Sequence, residues 1–337
     1  MCGIAGYARL DSEQSIEPSH LGSMLDSLRH RGPDDRGYCT FPRLAMGNTR
    51  LSIIDIEGGH QPITNEAGDV IVVYNGELYN APELRNELIT KGHRFRTRTD
   101  TEVLVHLYEE DGPDFLKRLN GMFALSIYDK RRESLLIARD RLGVKPLFWF
   151  ERNGLVAWAS EIKALKSLPE FEGALSPEGL STFLGLMYIP DPWTIYSRVS
   201  KLKPGHFIYV DRDGLSVREY YDLDFRRKLD IDAREADDQM AGRLRTAVRR
   251  QMLSDVPVGV LLSGGLDSRA ILAAASEINP GLPSFTIGFS ETLFDEGTEA
   301  AYWASAFGSA HNELLFGEDD FCRRILRRQK HQDEPYG

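Results

Sequence analysis

The pattern of apolar residues changes near Asp232, and this change limits the chain to two differently built domains. Before it, short segments rich in β-branched and aromatic residues alternate with a few amphipathic helices, which favours an α+β fold. After it, apolar strands alternate with helices, which is typical of a parallel sheet in an α/β fold. The 337 residues accommodate two domains, each with its own core.

Strands and helices are predicted as follows. In the first region, the segments expected as strands are 3–8, 44–54, 70–74, 122–128, 135–139 and 155–159. A helix is expected over 101–110, where apolar residues recur on one face. In the second region, the expected strands are 257–262, 284–289 and 312–316, and the expected helices cover the segment around 240–252, a stretch opening near 267, and 295–307.

Charge and composition exclude several classes of protein. The formal net charge of −10 argues against a broad nucleic-acid or anionic-membrane surface, so neither partner is expected. The arginines near residue 245 are interpreted as a solvated helix face. No apolar run approaches the ~18 residues of a membrane span, and no targeting leader is recognised. Three cysteines without motif spacing indicate a reducing compartment, and a cytoplasmic location is expected.

A strand that leads into a glycine-rich turn is the strongest local signal in the second region. Residues 260–268 read Val-Leu-Leu-Ser-Gly-Gly-Leu-Asp-Ser. Glycines let backbone N–H groups approach a ligand closely, and a helix N-terminus favours negative charge. The hydroxyls of Ser263 and Ser268 add donors, so the turn is predicted to cradle phosphate. An ordinary βα turn, with Asp267 or Ser268 as the helix cap, is the alternative.

Cys2 directly follows the first methionine. If Met1 is removed, one residue carries a thiol nucleophile and a free α-amine whose reference pKa lets it accept the thiol proton at neutral pH. This is the logic of an N-terminal nucleophile, in which the base belongs to the nucleophile's own residue. A small buried cysteine in a first strand is the alternative.

Five further positions supply what a thiol needs in order to hydrolyse an amide of an amino acid. Asn75 and Gly76 can form an oxyanion hole, Arg50 offers a cation for a carboxylate, and Glu77 and Asp100 offer anions for an ammonium group. Each has a structural alternative. Asn-Gly is a hairpin-turn signal, Thr99 with Glu102 fits a capping box around Asp100, and Arg50 alone is an ordinary strand arginine.

Several short motifs occur together in the first region. They are Cys2-Gly3-Ile4, Arg29-His30-Arg31-Gly32-Pro33-Asp34, Thr49-Arg50-Leu51-Ser52-Ile53, Tyr74-Asn75-Gly76-Glu77 and Arg139-Asp140-Arg141-Leu142-Gly143. They resemble class II glutamine amidotransferase domains, and the turn at 260–268 resembles the PP-loop of ATP pyrophosphatases. In this order, the motifs resemble the family of glutamine-hydrolysing asparagine synthetases over essentially the whole chain.

The resemblance implies an α+β fold followed by an α/β fold. An Ntn-hydrolase αββα sandwich with its connector is expected over residues 2–215. The first part of a PP-loop (adenine nucleotide alpha hydrolase-like) parallel-sheet domain is expected over residues 230–337. Cys2 is implied to attack the carboxamide of glutamine, with Asn75 and Gly76 as the oxyanion hole. The residues implied to hold glutamine are Arg50, Leu51, Ile53, Asn75, Gly76, Glu77 and Asp100.

In the second domain, the resemblance implies that ATP adenylates an acceptor, expected to be aspartate, and that ammonia then displaces AMP. The residues implied to contact ATP are Leu262, Ser263, Gly264, Gly265, Asp267, Ser268 and Ile287. Asp267 is the candidate ligand for Mg²⁺, which phosphate charge demands. A homodimer is an open expectation.

Two positions and the chain end depart from the family pattern. Arg269 stands where a small hydroxylated residue is common, and Asn48 stands where histidine is common. The family's second ATP segment and its aspartate-binding region lie beyond residue 337, so a piece of a longer protein is expected. Such a piece is expected to retain glutaminase activity without synthetase activity.

Other functions stay open at this point. A paralogous amidotransferase would act on a sugar, a peptide or an antibiotic precursor. A glutaminase or sensor fragment would bind glutamine or nucleotide and lack synthetase activity. A PP-loop enzyme that modifies tRNA is a further alternative, and the acidic charge balance counts against it.

Overall fold

The computed structural model describes residues 1–10, 15–226, 228–289 and 295–335. The chain divides into two compact units, Met1–Leu223 with Gln332–Gly337, and Asp224–His331. This division differs from the expected boundaries at 215 and 230. The strand Gly214–Glu219 continues the first unit past residue 215, and the carboxylate of Asp333 accepts a hydrogen bond from the Ile162 N–H within that unit.

The first unit consists of strands with a few helices. The strands are β1 (Gly3–Arg9), β2 (Asp35–Phe41), β3 (Leu44–Arg50), β4 (Ile63–Thr64), β5 (Val70–Leu78), β6 (Gly121–Asp129), β7 (Ser134–Arg139), β8 (Phe148–Arg152), β9 (Leu155–Ala159), β10 (Ser200–Lys201), β11 (His206–Asp211) and β12 (Gly214–Glu219). The α-helices are α1 (Ser19–Ser27), α2 (Ala81–Thr90), α3 (Thr101–Asp111), α4 (Ile162–Leu165) and α5 (Pro177–Leu186), and a 3-10 helix covers Gly112–Arg118.

Two six-stranded antiparallel sheets form the centre of this unit. One has the order β10-β8-β9-β1-β3-β2, and the other has the order β12-β11-β7-β6-β5-β4. Trp158, Met46 and Val73 belong to a buried apolar cluster shared by strands of both sheets. A second cluster joins α1 and α4 to the first sheet, and a third joins α2 and α3 to the second sheet. These three cores define the predicted αββα sandwich, which is confirmed.

The structure corrects one predicted strand boundary and excludes one of the alternative interpretations. The strand expected over 44–54 ends at Arg50. The guanidinium of Arg50 donates hydrogen bonds to the carbonyls of Ile54, Asp55 and Ile56, which turns the chain back on itself. The Asn75-Gly76 pair is no hairpin turn either, because both residues lie inside the nine-residue strand β5.

The second unit contains a small parallel sheet. Its strands, in spatial order, are β13 (Val260–Leu261), β14 (Pro283–Phe289) and β15 (Ala310–Phe316), and its helices are α6 (Ala233–Gln251), α7 (Leu266–Ile278), α8 (Gly297–Ala306) and α9 (Glu318–His331). Val260, Leu272 and Ala300 are buried in its core. The side chains of Leu261 and Ile287 are 83% and 56% exposed, so one face of the sheet is apolar and open to solvent. No helix in the described ranges is both long enough and apolar enough to cross a membrane.

The packing between the sheets makes Gly6 a sensitive position. A Cβ atom at Gly6 would lie 2.3 Å from Cζ2 of the buried Trp158 and 2.8 Å from the backbone carbonyl of Ala45. We expect Gly6→Ala to reduce the free energy of unfolding by about 1–3 kcal/mol, because overpacking displaces core atoms. Urea unfolding measures this. The control is Gly22→Ala in α1, where the nearest atom lies at 3.7 Å and the change should be neutral or stabilising. Equal effects of the two substitutions would contradict the packing described.

Candidate functional site

Cys2 is held at the start of a central strand. It immediately precedes β1, which pairs with β3 on one side and β9 on the other. The N–H of Leu51 approaches the Cys2 sulfur at 3.4 Å, and the thiol lies 3.6 Å from the Leu51 carbonyl. Nε of Arg31 donates a hydrogen bond of 2.9 Å to the Cys2 carbonyl. The backbone of Leu51 therefore holds the Cys2 thiol, and the side chain of Arg31 holds the Cys2 backbone.

A cleft opens beside the thiol. Its lining is Cys2, Arg50, Leu51, Ile53, Ile54, Gln61, Tyr74, Gly76, Glu77, Thr99, Asp100 and Thr101. The structure thus brings together every residue expected to hold glutamine except Asn75, which precedes Gly76 in β5 and is buried with 1% of its surface exposed. These residues are separated by up to 99 positions in the sequence, and the fold places them around one space.

The edge of β5 presents a backbone N–H to this cleft. Alternate residues of a strand direct their N–H groups to the same side. The N–H of Tyr74 donates to Oε1 of Gln61 at 2.7 Å, and the N–H of Leu78 donates to Oδ2 of Asp100 at 2.7 Å. The N–H of Gly76 lies between them on that edge. A Cβ at Gly76 would stand 2.4 Å from a backbone carbonyl oxygen, so only glycine fits there.

The side chain of Asn75 is buried without a hydrogen-bond partner. Neither its Nδ2 nor its Oδ1 atom finds one among the described residues. A buried amide left unpaired costs free energy, so such a group in a folded protein calls for an explanation. A ligand atom that accepts a hydrogen bond from Nδ2 would supply it.

Two carboxyl groups share one end of the cleft. Burial, followed by the negative charge of Asp100, raises the pKa of Glu77 to about 8. Burial also raises the pKa of Asp100, although the Leu78 N–H and the hydroxyls of Thr99 and Thr101 act in the opposite direction. This pair attracts a cation, because a positive group between the carboxyls would stabilise both in their charged forms.

The capping box given as the structural alternative for Asp100 does not form at the start of α3. The Glu102 carboxylate accepts hydrogen bonds from the N–H groups of Arg96 and Thr97 and from the Thr97 hydroxyl, at 2.6–2.7 Å. The Glu102 carboxylate therefore holds the segment before α3, and Asp100 is the residue at the start of that helix. The Asp100 carboxylate is held in the cleft by hydrogen bonds that it accepts from the Leu78 N–H and from the hydroxyls of Thr99 and Thr101.

The protonation of Cys2 depends on the chain terminus. Burial raises the pKa of the thiol, and the Leu51 N–H opposes that shift. Burial lowers the pKa of the α-amine, which here belongs to Met1. Met1 is 59% exposed, so it is accessible for removal, and removal would place the amine on Cys2 itself.

Sequence reasoning missed three residues that organise the site. The buried carboxylate of Asp140 accepts hydrogen bonds from the N–H groups of Phe123, Leu142, Val144 and Lys145 at 3.0–3.1 Å. Burial lowers the pKa of Lys145, which is close enough to Glu77 and Cys2 to interact with their charges. Arg31 bridges the Cys2 carbonyl and the Glu161 carboxylate. The available signal was that Arg31 and Asp140 lie within motifs already singled out and Lys145 lies two residues after one of them.

The glycine-rich turn in the second unit is closed by its own hydroxyls. The hydroxyls of Ser263 and Ser268 are 3.0 Å apart, and the N–H groups of Ser263 and Gly265 donate to Ser268 Oγ and Ser263 Oγ respectively. The N–H of Gly264 donates to the carboxylate of Glu296 at 2.9 Å. The Glu296 carboxylate therefore already accepts a hydrogen bond from the Gly264 N–H, which the sequence predicts to face phosphate.

The remaining predicted nucleotide contacts lie near this turn. Asp267 is exposed in the first turn of α7, where a ligand can reach its carboxylate. Nε of Arg269 donates a hydrogen bond to the Gly265 carbonyl at 3.2 Å, and the guanidinium also pairs with Glu299 at 3.1 Å and lies over the Trp303 ring. Leu262 is buried in the core, so its side chain faces away from solvent, whereas the side chain of Ile287 is exposed.

Comparison with protein families matches both units. The "Glutamine amidotransferase domain" family matches residues 1–221, and the "Asparagine synthase" family matches residues 239–337. Asparagine synthetase [glutamine-hydrolyzing] 3 of Bacillus subtilis is 36% identical over 96% of this chain and 56% of its own length. Asparagine synthetase [glutamine-hydrolyzing] 2 of Arabidopsis thaliana is 33% identical over 95% of this chain and 52% of its own length. The chain thus spans about half the length of these relatives.

Solved structures support the fold alone. Glutamine phosphoribosylpyrophosphate amidotransferase from Bacillus subtilis, complexed with ADP and GMP, superposes with a TM-score of 0.50 at 18% identity. That match covers 93% of this chain and 65% of the other. A structure titled as the allosteric regulatory enzyme of purine biosynthesis gives a TM-score of 0.51 at 17% identity, over 93% and 80% of the two chains.

The raised pKa of Glu77 predicts a dependence of stability on pH. The folded value of about 8 lies above the ordinary value of 4.5, so between these values the folded state binds more protons than the unfolded state. Stability therefore falls as pH rises through this window. Glu77→Gln removes the effect, and we expect the variant to gain on the order of 2 kcal/mol relative to wild type between about pH 5 and pH 9.

Thermal unfolding across that pH range measures the difference. Glu151→Gln, at an exposed glutamate on β8, is the matched control and should follow wild type. A constant offset between Glu77→Gln and wild type at all pH values would contradict the shifted ionisation.

Proposed function

Because the chain belongs to the family of glutamine-hydrolysing asparagine synthetases, we propose that its first unit hydrolyses glutamine at Cys2 and supplies ammonia to an adenylated acceptor. One observation carries the proposal. The Cys2 sulfur, the N–H edge of β5 at Gly76 and the carboxyl pair of Glu77 and Asp100 line a single cleft. This cleft offers a nucleophile, an oxyanion donor and an ammonium site at once.

The first chemical step is attack on the side-chain amide. With Met1 removed, the α-amine of Cys2 accepts the thiol proton, and the thiolate sulfur bonds to the carboxamide carbon of glutamine. The carbonyl oxygen becomes an oxyanion, which the Gly76 N–H and the Asn75 Nδ2 group stabilise. The unpaired amide of Asn75 supports this role, because an oxyanion would give it the partner it lacks.

The second step releases ammonia and restores the enzyme. The tetrahedral intermediate collapses, the carbon–nitrogen bond breaks, and ammonia leaves with the proton carried by the α-amine. A γ-glutamyl thioester remains on Cys2. Water then adds to the thioester carbonyl, the carbon–sulfur bond breaks, and glutamate leaves with the thiol regenerated. No oxidant or reductant is needed for this sequence.

The amino-acid end of glutamine is held by charge. The ammonium group of the substrate fits the carboxyls of Glu77 and Asp100, because burial raises the pKa of both and a positive group beside them would favour their charged forms. Arg50 lines the same cleft and is the cation for the substrate carboxylate. Three of its hydrogen bonds go to backbone carbonyls, which fixes the guanidinium in place before the substrate arrives.

The second unit is proposed to bind ATP at the turn between β13 and α7. The Glu296 carboxylate on the Gly264 amide supports this, because it stands where a phosphate oxygen would accept the same hydrogen bond. Ser263, Gly265 and Ser268 would complete the phosphate contacts. Asp267 would hold Mg²⁺, and the ion would neutralise phosphate charge during transfer. Leu262 and Ile287 stay predictions as nucleotide contacts.

The acceptor is proposed to be aspartate. In that reaction the aspartate side chain takes AMP from ATP and releases pyrophosphate, and ammonia then displaces AMP to give asparagine. The names of the relatives support this acceptor. A homodimer and a cytoplasmic location stay predictions.

Removing the nucleophile tests the glutaminase proposal. We expect Cys2→Ala to abolish glutamate release from glutamine, because no other thiol lines the described cleft. Coupled glutamate detection measures the activity, and circular dichroism checks that the variant is folded. Cys39→Ala, at a free cysteine in β2, is the matched control and should keep the activity. An inactive wild-type protein whose intact mass shows Met1 removed would sink the proposal.

The oxyanion role of Asn75 predicts a selective loss of turnover. We expect Asn75→Ala to lower kcat by roughly 100- to 1,000-fold with a smaller change in KM, because the lost hydrogen bond forms in the transition state. Steady-state kinetics on glutamine measures both constants. Asn80→Ala is the control, since among the described residues its side chain bonds to the Arg118 carbonyl and the Asn120 N–H, which lie outside the cleft lining. A kcat close to the wild-type value in Asn75→Ala would rule out the oxyanion role.

A further inference from the structure

A second cluster of ligand-type side chains lies in the first unit, outside the residues that line the Cys2 cleft. It consists of Glu66, His93, His106 and Glu109, and one ligand atom from each lies within 4.8 Å of all the others. We propose that this cluster is a site for a first-row transition-metal dication such as Zn²⁺. The proposal goes beyond glutamine hydrolysis, and it does not depend on that activity.

The ligand atoms converge on one point. Nδ1 of His106 lies 3.4 Å from the Glu66 carboxylate and 3.3 Å from the Glu109 carboxylate. Nδ1 of His93 lies 3.9 Å from Glu66 and 3.8 Å from Glu109. A tetrahedral zinc ion with bonds of about 2.0–2.1 Å separates its ligand atoms by about 3.3–3.4 Å. The longest of these separations exceeds the tetrahedral value by about 0.6 Å, so only small side-chain shifts are needed.

Carboxylates stand behind both histidines. Nε2 of His93 lies 3.2 Å from the Glu110 carboxylate, within hydrogen-bond distance, whereas Nε2 of His106 faces the Glu102 carboxylate at 3.9 Å and makes no hydrogen bond among the described residues. A metal-bound histidine characteristically directs its second nitrogen to a carboxylate in this way. The carboxylate ligands are also held, since Glu66 accepts from the Arg94 N–H and Glu109 accepts from Asn65 Nδ2, both at 2.7 Å.

The charge balance favours a dication. The two imidazole rings lie 4.8 Å apart between centroids, and the side chain of His106 is fully buried. Four carboxylates, those of Glu66, Glu102, Glu109 and Glu110, lie within 4 Å of the two rings, so the cluster is rich in negative charge. A dication neutralises the carboxylates of Glu66 and Glu109 while both histidines remain neutral ligands. Imidazole and carboxylate donors together suit Zn²⁺ and its neighbours better than Mg²⁺ or Ca²⁺.

The site would tie three chain segments together. Glu66 follows β4, His93 follows α2, and His106 and Glu109 lie three residues apart on one face of α3. Asp100 of the Cys2 cleft lies immediately before that same helix. A bound ion would therefore fix α3 against the β4–β5 connection and stabilise the helix that positions Asp100. The role is structural, and the glutamine reaction needs no contribution from the ion.

Zinc binding by the full chain tests the proposal. The protein is stripped with a chelator, dialysed against ZnCl₂ and assayed for bound zinc by elemental analysis, with affinity from isothermal titration calorimetry. We expect one equivalent at this site, and a rise in melting temperature on adding Zn²⁺. His93→Gln and Glu66→Gln should each weaken that equivalent at least 10-fold and remove the thermal effect. The side chains of His93 and Glu66 lie nearer the surface than the buried side chain of His106, so we expect both variants to fold.

Three comparisons make the result decisive. His60→Gln, at an exposed histidine paired with Asp35, is the matched control and should bind zinc as wild type does. Cys2→Ala distinguishes zinc bound by the thiol from zinc bound at the proposed site, because the proposed site should still bind one equivalent in that variant. Co²⁺ at the proposed site should give visible absorption bands that His93→Gln removes. Absence of a zinc equivalent, or equal affinity in wild type, His93→Gln and Glu66→Gln, would overturn the proposal.

Discussion

The pairing of β1 between β9 and β3 is the constraint on which the first unit depends. A strand at the chain terminus is held on both edges only if it lies inside a sheet, and here Ala5 pairs with Gly47 on one side and Ala159 on the other. The inner face of this sheet packs against the second sheet through Ile4, Met46 and Trp158. Cys2 therefore adjoins a strand that is held on both edges, although it is the second residue of the chain.

The second sheet supplies the other half of the cleft through its own edge. β4 covers only two residues, so β5 is left without a partner strand along most of one side. Side-chain oxygens of Gln61 and Asp100 take up the N–H groups at Tyr74 and Leu78. The N–H of Gly76 remains for a ligand. The short length of β4 therefore matters for the proposed reaction, since a full-length neighbouring strand would have accepted the hydrogen bond of the Gly76 N–H.

Sequence reasoning predicted elements well where apolar spacing governed them and failed where side chains bonded back to the chain. The first strand, the helix carrying Asp100 and the parallel strands of the second unit follow from periodicity. The end of β3 at Arg50 does not, because three carbonyl contacts of its guanidinium set it. The same holds for Glu102, whose carboxylate binds Arg96 and Thr97 and does not cap α3. Local rules rank such residues by propensity, but tertiary partners decide their role.

The sequence alone determined the residue types and the two kinds of domain. A thiol at position 2, an Asn-Gly-Glu run and a Ser-Gly-Gly turn are chemical facts of the chain, and hydrophobic spacing separates antiparallel from parallel sheet regions. The tertiary structure decided which of these groups meet. It placed Asn75-Gly76 inside a strand, where a hairpin turn had been the alternative, raised the pKa of Glu77 by burial and by the charge of Asp100, and gathered His93 and His106 around two carboxylates. Distances between residues far apart in sequence, and the loss of water around them, are properties of packing, and no local pattern encodes them.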